Sequence, residues 1–536
     1  MKKTITQFIQ QNWELWISLL CFAGILFLFL IQSLQQNQGH LVYALDDAYI
    51  HMAIAKNLAQ HSLWGVTPFE FSAASSSILW TLLLAFAYKI FGISEPLPLI
   101  LNIIFAIGII TVFYFYLKQY NQNSLFLISS TLLLIIITPL PTLVFTGMEH
   151  TLQVLLVFLF VYILQKVLKT PQTNTPFKLL LFLTLLLALT RYEHLLLITT
   201  TTAVFAFFHQ LKRGLSLLVI LLTAWSIFGV YFWLNGSYFL PNSVLVKNPT
   251  LDFDFWTKVK SLLGGQLIFT LSNYPAIWLL IVIGLTLLIL NYPKSHLKDS
   301  KQIILLIALI TTILHIQWAR IGWLFRYEAY FIALNWLAIS TSLSNYIPRK
   351  INRIFNLSLT QIIATLSVIL LIVTSPLMSR GRNAFTQSLQ ATTNIYEQQY
   401  QMGQFVQKYY QGEAIVAHDI GAISYLGNPQ LLDVAGLGTN EITGLIINQK
   451  MTDKILQQLA QKHNSKIAVI YESNIIPSQW EKVGEWQITN NVIALRDTVI
   501  FYAVDPQETQ KLITNLQDYS QHLPDTVQEK GEYTQE

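Results

Sequence analysis

Long apolar runs recur along this chain, divided by short polar breaks. Runs of membrane-spanning character lie near residues 15–32, 97–117, 124–141, 150–168, 177–191, 193–209, 215–234, 275–291, 302–319, 327–346 and 355–376. A membrane helix needs about 20 apolar residues, so this pattern predicts about eleven spans, the shortest at 177–191 and 193–209. The run Ile78–Phe91 differs from these. A helix of that length reaches about 21 Å of the ~30 Å hydrocarbon core, and is read as amphipathic and lying on the outer surface. A second surface helix is predicted over residues 46–60, and both fall in one large outer loop, 34–96. A further outer loop runs over 235–274.

Basic residues set the orientation, because cytoplasmic loops collect them. Lys2 and Lys3, Lys118, the Lys166–Lys178 loop, Lys212 with Arg213, the Lys294–Lys301 loop and Arg349–Arg353 all fall on one side if 78–91 does not cross. Parity then places the C-terminus outside. Past Pro376 the hydropathy falls, and residues 378–522 read as a small extracytoplasmic α/β domain following a membrane domain over 1–377. Helical patterns lie at 391–410 and 451–463, with strand-like runs at 413–418, 466–471 and 498–504. The last stretch, 523–536, is polar and rich in Glu and Gln, and is expected to be disordered. The fold class is thus a polytopic α-helical membrane protein carrying a small α/β domain.

Composition fixes the broad class. The chain is 53% hydrophobic and 11% charged, against roughly 25% charged in soluble domains. Its mean hydropathy of +0.48 agrees. A net charge of +5 on 536 residues offers no nucleic-acid surface. Cys21 is the single cysteine, so no disulfide can form within the chain. Lys2, Lys3 and the first apolar run resemble a signal sequence, but Ile31–Leu34 lacks a small-residue cleavage site, and an uncleaved anchor in a bacterial inner membrane is expected.

Against that background, several charges sit where the sorting rule gives them no reason to be. Asp46 and Asp47 follow the first span, and a paired carboxylate beside hydrocarbon suits proton abstraction or metal binding. Arg191, Lys247, Arg320 and Arg326 lie at outer span ends, with Glu149, Glu193, His194 and Glu328. Cations beside carboxylates at one face describe a phosphate site next to an acid/base group. Each has a plainer reading. A lone arginine at a span end commonly snorkels to headgroups, and two aspartates at a helix start can simply cap it. His51 shares a helix face with Asp47, but two ligands are too few to define a metal site. A divalent cation at Asp46 and Asp47 is left open.

Five segments occur in a telling order: Leu45–Asn57 (LDDAYIHMAIAKN), Ser72–Leu84 (SAASSSILWTLLL), Thr146–His150 (TGMEH), Pro241–Lys247 (PNSVLVK), and His418–Tyr425 with Leu432–Leu437. Together they resemble integral-membrane glycosyltransferases of the C type, the GT-C superfamily, nearest the branch of bacterial arabinofuranosyltransferases. The resemblance implies transfer of a sugar from a polyprenyl-phosphate carrier to a glycan, lipid or protein acceptor outside. It implies a general base at Asp47 or Asp46, and a donor phosphate held by Arg326, Arg320, Lys247 and Arg191. Glu149, His51 and Asn242 would support the site. No Walker or GxGxxG loop is present, which fits a lipid-linked donor. The rival readings are a transporter or flippase of an anionic substrate, and a relative that has lost catalysis.

Overall fold

The computed structural model describes residues 2–170, 173–247, 267–295, 299–347 and 359–534. Five helices among them are long and apolar enough to cross a membrane: Trp13–Gln36, Pro96–Lys118, His150–Lys169, Leu211–Leu234 and Ser300–Trp318. Shorter apolar helices, Ser124–Ile137, Asn174–Thr190, His194–Phe207 and Ala329–Leu343 among them, pack in the same bundle. The expected span 124–141 stops at Ile137, and a short helix, Leu140–Val144, follows Pro139. Proline cannot donate the next helical bond, which accounts for the break. The expected span 355–376 begins outside the described residues. From Leu359 a helix of 37 residues runs to Ile395. That is about 55 Å, longer than the ~30 Å hydrocarbon core, so this helix carries the chain from the bundle into the second domain.

Both helices expected in the first outer loop are present. Asp46–His61 places Asp46 and Asp47 in its first turn, where the helix dipole favours them. Ile78–Phe91 is capped by Ser77, whose hydroxyl accepts from the Trp80 amide, and Gly92 closes it. One face of this second helix is buried through Trp80, Thr81, Leu84 and Tyr88, while Phe86, Ile90 and Phe91 are exposed.

The C-terminal domain is built on a six-stranded sheet in the order β2-β1-β3-β5-β4-β6. The strands are β1 Ala414–Ala417, β2 Gln430–Asp433, β3 Ile467–Ile470, β4 Glu481–Gln487, β5 Thr498–Ala503 and β6 Gln528–Gly531. β1 runs parallel to β2 and β3, and the other neighbours are antiparallel. β1 and β3 are buried on both faces, as the all-apolar sequences AIVA and IAVI require. One face packs Phe405, Trp486, Phe501 and Tyr519, and its core continues into Ile50, Ile54 and Trp64 of the first outer loop. The other packs Val416, Leu432, Ile470 and Trp480.

The disordered tail expected over 523–536 is a correction. Residues Gln528–Gly531 pair with β4, and Tyr533 is buried beneath them, its hydroxyl accepting from the Trp486 indole at 3.2 Å. The polar composition suits an edge strand, whose outer side faces solvent, and composition alone does not tell that from a solvated coil.

Candidate active site

Asp46 and Asp47 are neighbours in sequence but hold to different parts of the molecule. The Asp46 carboxylate accepts two backbone amides from the sheet domain, Gly421 at 2.7 Å and Ala422 at 2.8 Å. Gly421 is needed for that approach, because a Cβ there would lie 2.1 Å from the Asp46 carbonyl oxygen. Lys56, on the same helix, donates to the Tyr425 carbonyl at 2.7 Å, so the Asp46–His61 helix and the sheet domain are stitched together at this seam. Burial, and then the charge of Asp419, push the Asp46 carboxyl above the usual range, against the two amide bonds that favour its ionised form. Asp47 instead accepts from Arg326 at 2.7 Å, with Arg326 buried and Asp47 about a quarter exposed (26%).

Arg326 is reached through an unusual turn. Gly322 has φ +89°, and the three residues after it, Trp323, Leu324 and Phe325, also have φ between 50° and 61°. Left-handed backbone costs non-glycine residues roughly 1–2 kcal/mol each, so the turn must be held from outside. Glu328 accepts from the Gly322 amide at 2.8 Å. Arg380, on the long helix, donates to Glu328 at 2.7 Å, to the Phe325 carbonyl at 3.0 Å and to the Ile137 carbonyl at 2.9 Å. Both partners of this ion pair are buried. Arg326 then completes its contacts with the Met148 sulfur and the Tyr327 hydroxyl and ring. Met148 is delivered by the TGMEH turn, where Gly147 has φ +66° and a Cβ would strike the Tyr43 ring at 2.6 Å.

The other sequence-predicted residues fall in three groups. Arg191 is clamped by Glu149 at 2.7 Å and Glu193 at 2.6 Å, and its guanidinium lies over the Tyr327 ring. His51 sits among hydroxyls, with Nδ1 3.0 Å from Thr81 Oγ1 and Nε2 3.2 Å from Ser76 Oγ and 3.7 Å from Glu149. It fixes the Ser72–Ser77 segment to the following helix rather than lining the cavity described below. Burial lowers its affinity for a proton, which suits that role. Asn242 bridges the Leu437 carbonyl at 3.1 Å and the Asn440 side chain at 2.9 Å, tying the second outer loop to the sheet domain. Lys247 ends a short helix, Asn242–Lys247. Its side chain lies outside the described residues.

Asp46, Asp47 and Arg320 line one cavity of about 510 Å³ at the junction of bundle and sheet domain, within the usual ~300–1,000 Å³ of ligand sites. Trp323 and Tyr327 add aromatic surface, and the sheet-domain side contributes Gln399, His418 and Asp419. Sequence reasoning did not single out those last three. Gln399 carried no signal, and His418 and Asp419 entered only as part of the His418–Tyr425 motif, with no role of their own. Among the described residues no three His, Cys, Asp or Glu side chains gather as a metal site requires. Asp46 and Asp47 are each engaged by N–H donors, so their contacts supply no ready cation cage.

Comparison with known proteins adds the fold. Residues 393–502 match a domain of unknown function, DUF8728, which covers a π-helical turn at 396–400, strands β1 to β4 and all but the last residue of β5. No curated protein matches the chain by sequence. The structure is similar to an Archaeoglobus fulgidus oligosaccharyltransferase solved with zinc and sulfate, at TM-score 0.52 and 12% identity over 89% of this chain and 74% of that one. It is similar also to the archaeal oligosaccharyltransferase AglB from Archaeoglobus fulgidus, solved with an inhibitory peptide and a dolichol-phosphate, at TM-score 0.51 and 13% identity over 93% and 75%. ArnT from Cupriavidus metallidurans, bound to undecaprenyl phosphate, matches at TM-score 0.48 and 11% identity over 92% and 98%. The chain therefore shares its fold with the two oligosaccharyltransferase structures: an apolar helical bundle followed by a C-terminal sheet domain.

Proposed function

We propose that this chain is a glycosyltransferase that moves a sugar from a polyprenyl-phosphate carrier to an acceptor hydroxyl on the extracytoplasmic side of a bacterial inner membrane. The carrying observation is the cavity itself: two adjacent carboxylates and an arginine face one space at the end of an apolar helical bundle. The fold shared with AglB, solved with a dolichol-phosphate, supports a lipid-linked donor. The ordered motifs keep the arabinofuranosyltransferase-like branch as the nearest relative, with a glycan, lipid or protein as acceptor.

Asp47 is the general base in this reading. Arg326 holds its carboxyl group in place, and a carboxylate held beside the acceptor hydroxyl takes the proton as the new C–O bond forms. Asp46 has the different task of anchoring Gly421 and Ala422, which fixes the sheet domain over the site. The leaving polyprenyl phosphate is a stable anion and needs cations more than a general acid. Arg320, exposed and lining the cavity, serves it first, and Lys247 next. Arg326 acts through Asp47, and Arg191 through Glu149 and the Tyr327 ring.

The test is sugar transfer in membranes carrying wild type, Asp47→Asn or Asp46→Asn, supplied with radiolabelled polyprenyl-phosphate sugars and crude envelope acceptor. Loss of about 10²–10⁴ in Asp47→Asn, with normal insertion, supports the assignment. Full activity in that variant sinks the base, and no transfer by wild type across a broad donor panel sinks the transferase.

A further inference from the structure

The cavity has two chemically different walls. Arg320 stands on the bundle side. On the sheet-domain side stand Asp419, His418 and Gln399, with no lysine or arginine among the described residues that line that part. Gln399 lies in a π-helical turn, Tyr396–Tyr400, of a kind that often marks functional sites. Its amide nitrogen lies 2.7 Å from Asp419 Oδ2, 3.0 Å from Gln398 Oε1 and 3.1 Å from the Tyr471 hydroxyl. Those acceptors fix the amide's orientation. The amide oxygen is buried, in a side chain only 2% exposed, and bonds nothing among the described residues. Leaving a buried carbonyl without a donor is costly, so this oxygen is suited to an O–H or N–H donor.

Asp419 extends the same pattern. Oδ2 also accepts the Tyr471 hydroxyl, whereas no donor among the described residues bonds Oδ1. The His418 ring packs 5.0 Å from the Tyr471 ring and is held neutral by burial, with Asp419 opposing. This wall thus brings a carboxylate, a glutamine amide and an imidazole to the cavity. That set of acceptors suits hydroxyl donors better than a phosphate.

Resting on the transferase reading above, we propose that Asp419, His418 and Gln399 form a saccharide subsite that holds the hydroxyls of a sugar ring, opposite the phosphate position at Arg320. The ring belongs either to the donor sugar or to a saccharide acceptor, and in both cases the DUF8728 region is a wall of the reaction site.

The experiment uses the intact protein in nanodiscs. Saturation-transfer NMR with methyl glucoside, galactoside, mannoside and arabinofuranoside, and separately phosphate-binding measurements with inorganic phosphate, test each wall. At least one glycoside is expected to bind wild type and to be lost in Asp419→Asn and His418→Ala. Phosphate binding should persist in both and fail in Arg320→Ala. His418→Ala leaves the bonds to Asp419 Oδ2 in place, so it carries the test if Asp419→Asn does not fold. Transfer kinetics then locate the ring. A rise of about 10–100-fold in KM for the lipid-linked donor assigns the donor sugar, and the same rise for the acceptor assigns an acceptor saccharide. No glycoside bound by wild type, binding unchanged in His418→Ala, or transfer with neither KM raised overturns the subsite. Glycoside binding without any transfer would leave the subsite standing and remove the transferase.

Discussion

The two walls of the cavity are held in place by opposite means. The bundle wall, residues 319–328, is a strained left-handed turn pinned by a buried ion pair and single hydrogen bonds. The sheet wall rests on an aromatic core of Phe405, Trp486, Phe501 and Tyr519, and on backbone amides that bind carboxylates. Asp433, for example, accepts the Ala435, Leu437 and Gly438 amides at 2.6–2.7 Å and so shapes the loop whose Ala435 and Leu437 enter the cavity. A few discrete charges set the geometry on one side, and many distributed contacts set it on the other. The first arrangement should fail all at once and the second by degrees.

The largest effect follows from removing one charge of the bundle wall. Glu328→Ala leaves Arg380 buried without its partner and the Gly322 amide without its acceptor. Breaking a buried pair in this way costs about 3–5 kcal/mol, whereas replacing both partners by apolar residues is often close to neutral. Thermal unfolding in detergent should show a sharp loss for Glu328→Ala and substantial recovery in the Glu328→Leu, Arg380→Met double variant. A single variant that unfolds like wild type would mean that the turn is not held by this pair.

The seam between the walls comes next. In Gly421→Ala, the new Cβ would meet the Asp46 carbonyl at 2.1 Å and its Oδ1 at 2.7 Å. Backbone cannot yield as a flexible side chain would, so overpacking of about 1–3 kcal/mol is expected, concentrated at the seam. Hydrogen exchange should accelerate over 418–425 while the core of β3 and β5 stays protected. Uniform acceleration of the whole sheet domain would place the damage elsewhere.

The same seam should respond to pH. The docked Asp46 carboxyl has a raised affinity for its proton, so docking favours the protonated form. Its contribution is then fully present below the ordinary aspartate range near pH ~4 and fades as pH rises to the docked value, by at most about 1.4 kcal/mol per pH unit for one proton. Protection factors over 418–425, taken against the intrinsic exchange rate at each pH, should therefore fall between pH 5 and pH 8. Asp46→Asn, which resembles the protonated acid, should flatten that response. A seam that tightens as pH rises would reverse the sign and remove Asp46 as its cause.

What the sequence revealed divides along the same line. Asp46, Asp47 and Arg320 stood out because charge at the end of an apolar run needs a reason; the Asp46–His61 helix carried two aspartates in its first turn and the Ile78–Phe91 helix its own cap in Ser77. Arg380 was not singled out, since nothing local told that it reaches Glu328. Gln399 read as one polar residue in the run EQQYQ. Strands β1, β3 and β5 were legible as apolar runs, but β4 (EKVGEWQ) and β6 (QEKG) owe their form to partners distant in sequence. Strand preference of that kind reflects neighbours more than the residues themselves.

That last pair offers the gentlest test of a wall held by many small contacts. Tyr533→Phe keeps the ring against Gly484 and removes only the oxygen that accepts from the Trp486 indole. The expected loss is about 1 kcal/mol, a typical value for one hydrogen bond, with β6 still paired to β4. Chemical unfolding followed by Trp486 fluorescence measures it, although the other tryptophans require a difference signal against Trp486→Phe. A loss several times larger would mean that the edge strand is coupled as tightly as the Arg380–Glu328 pair, and the contrast between the walls would collapse.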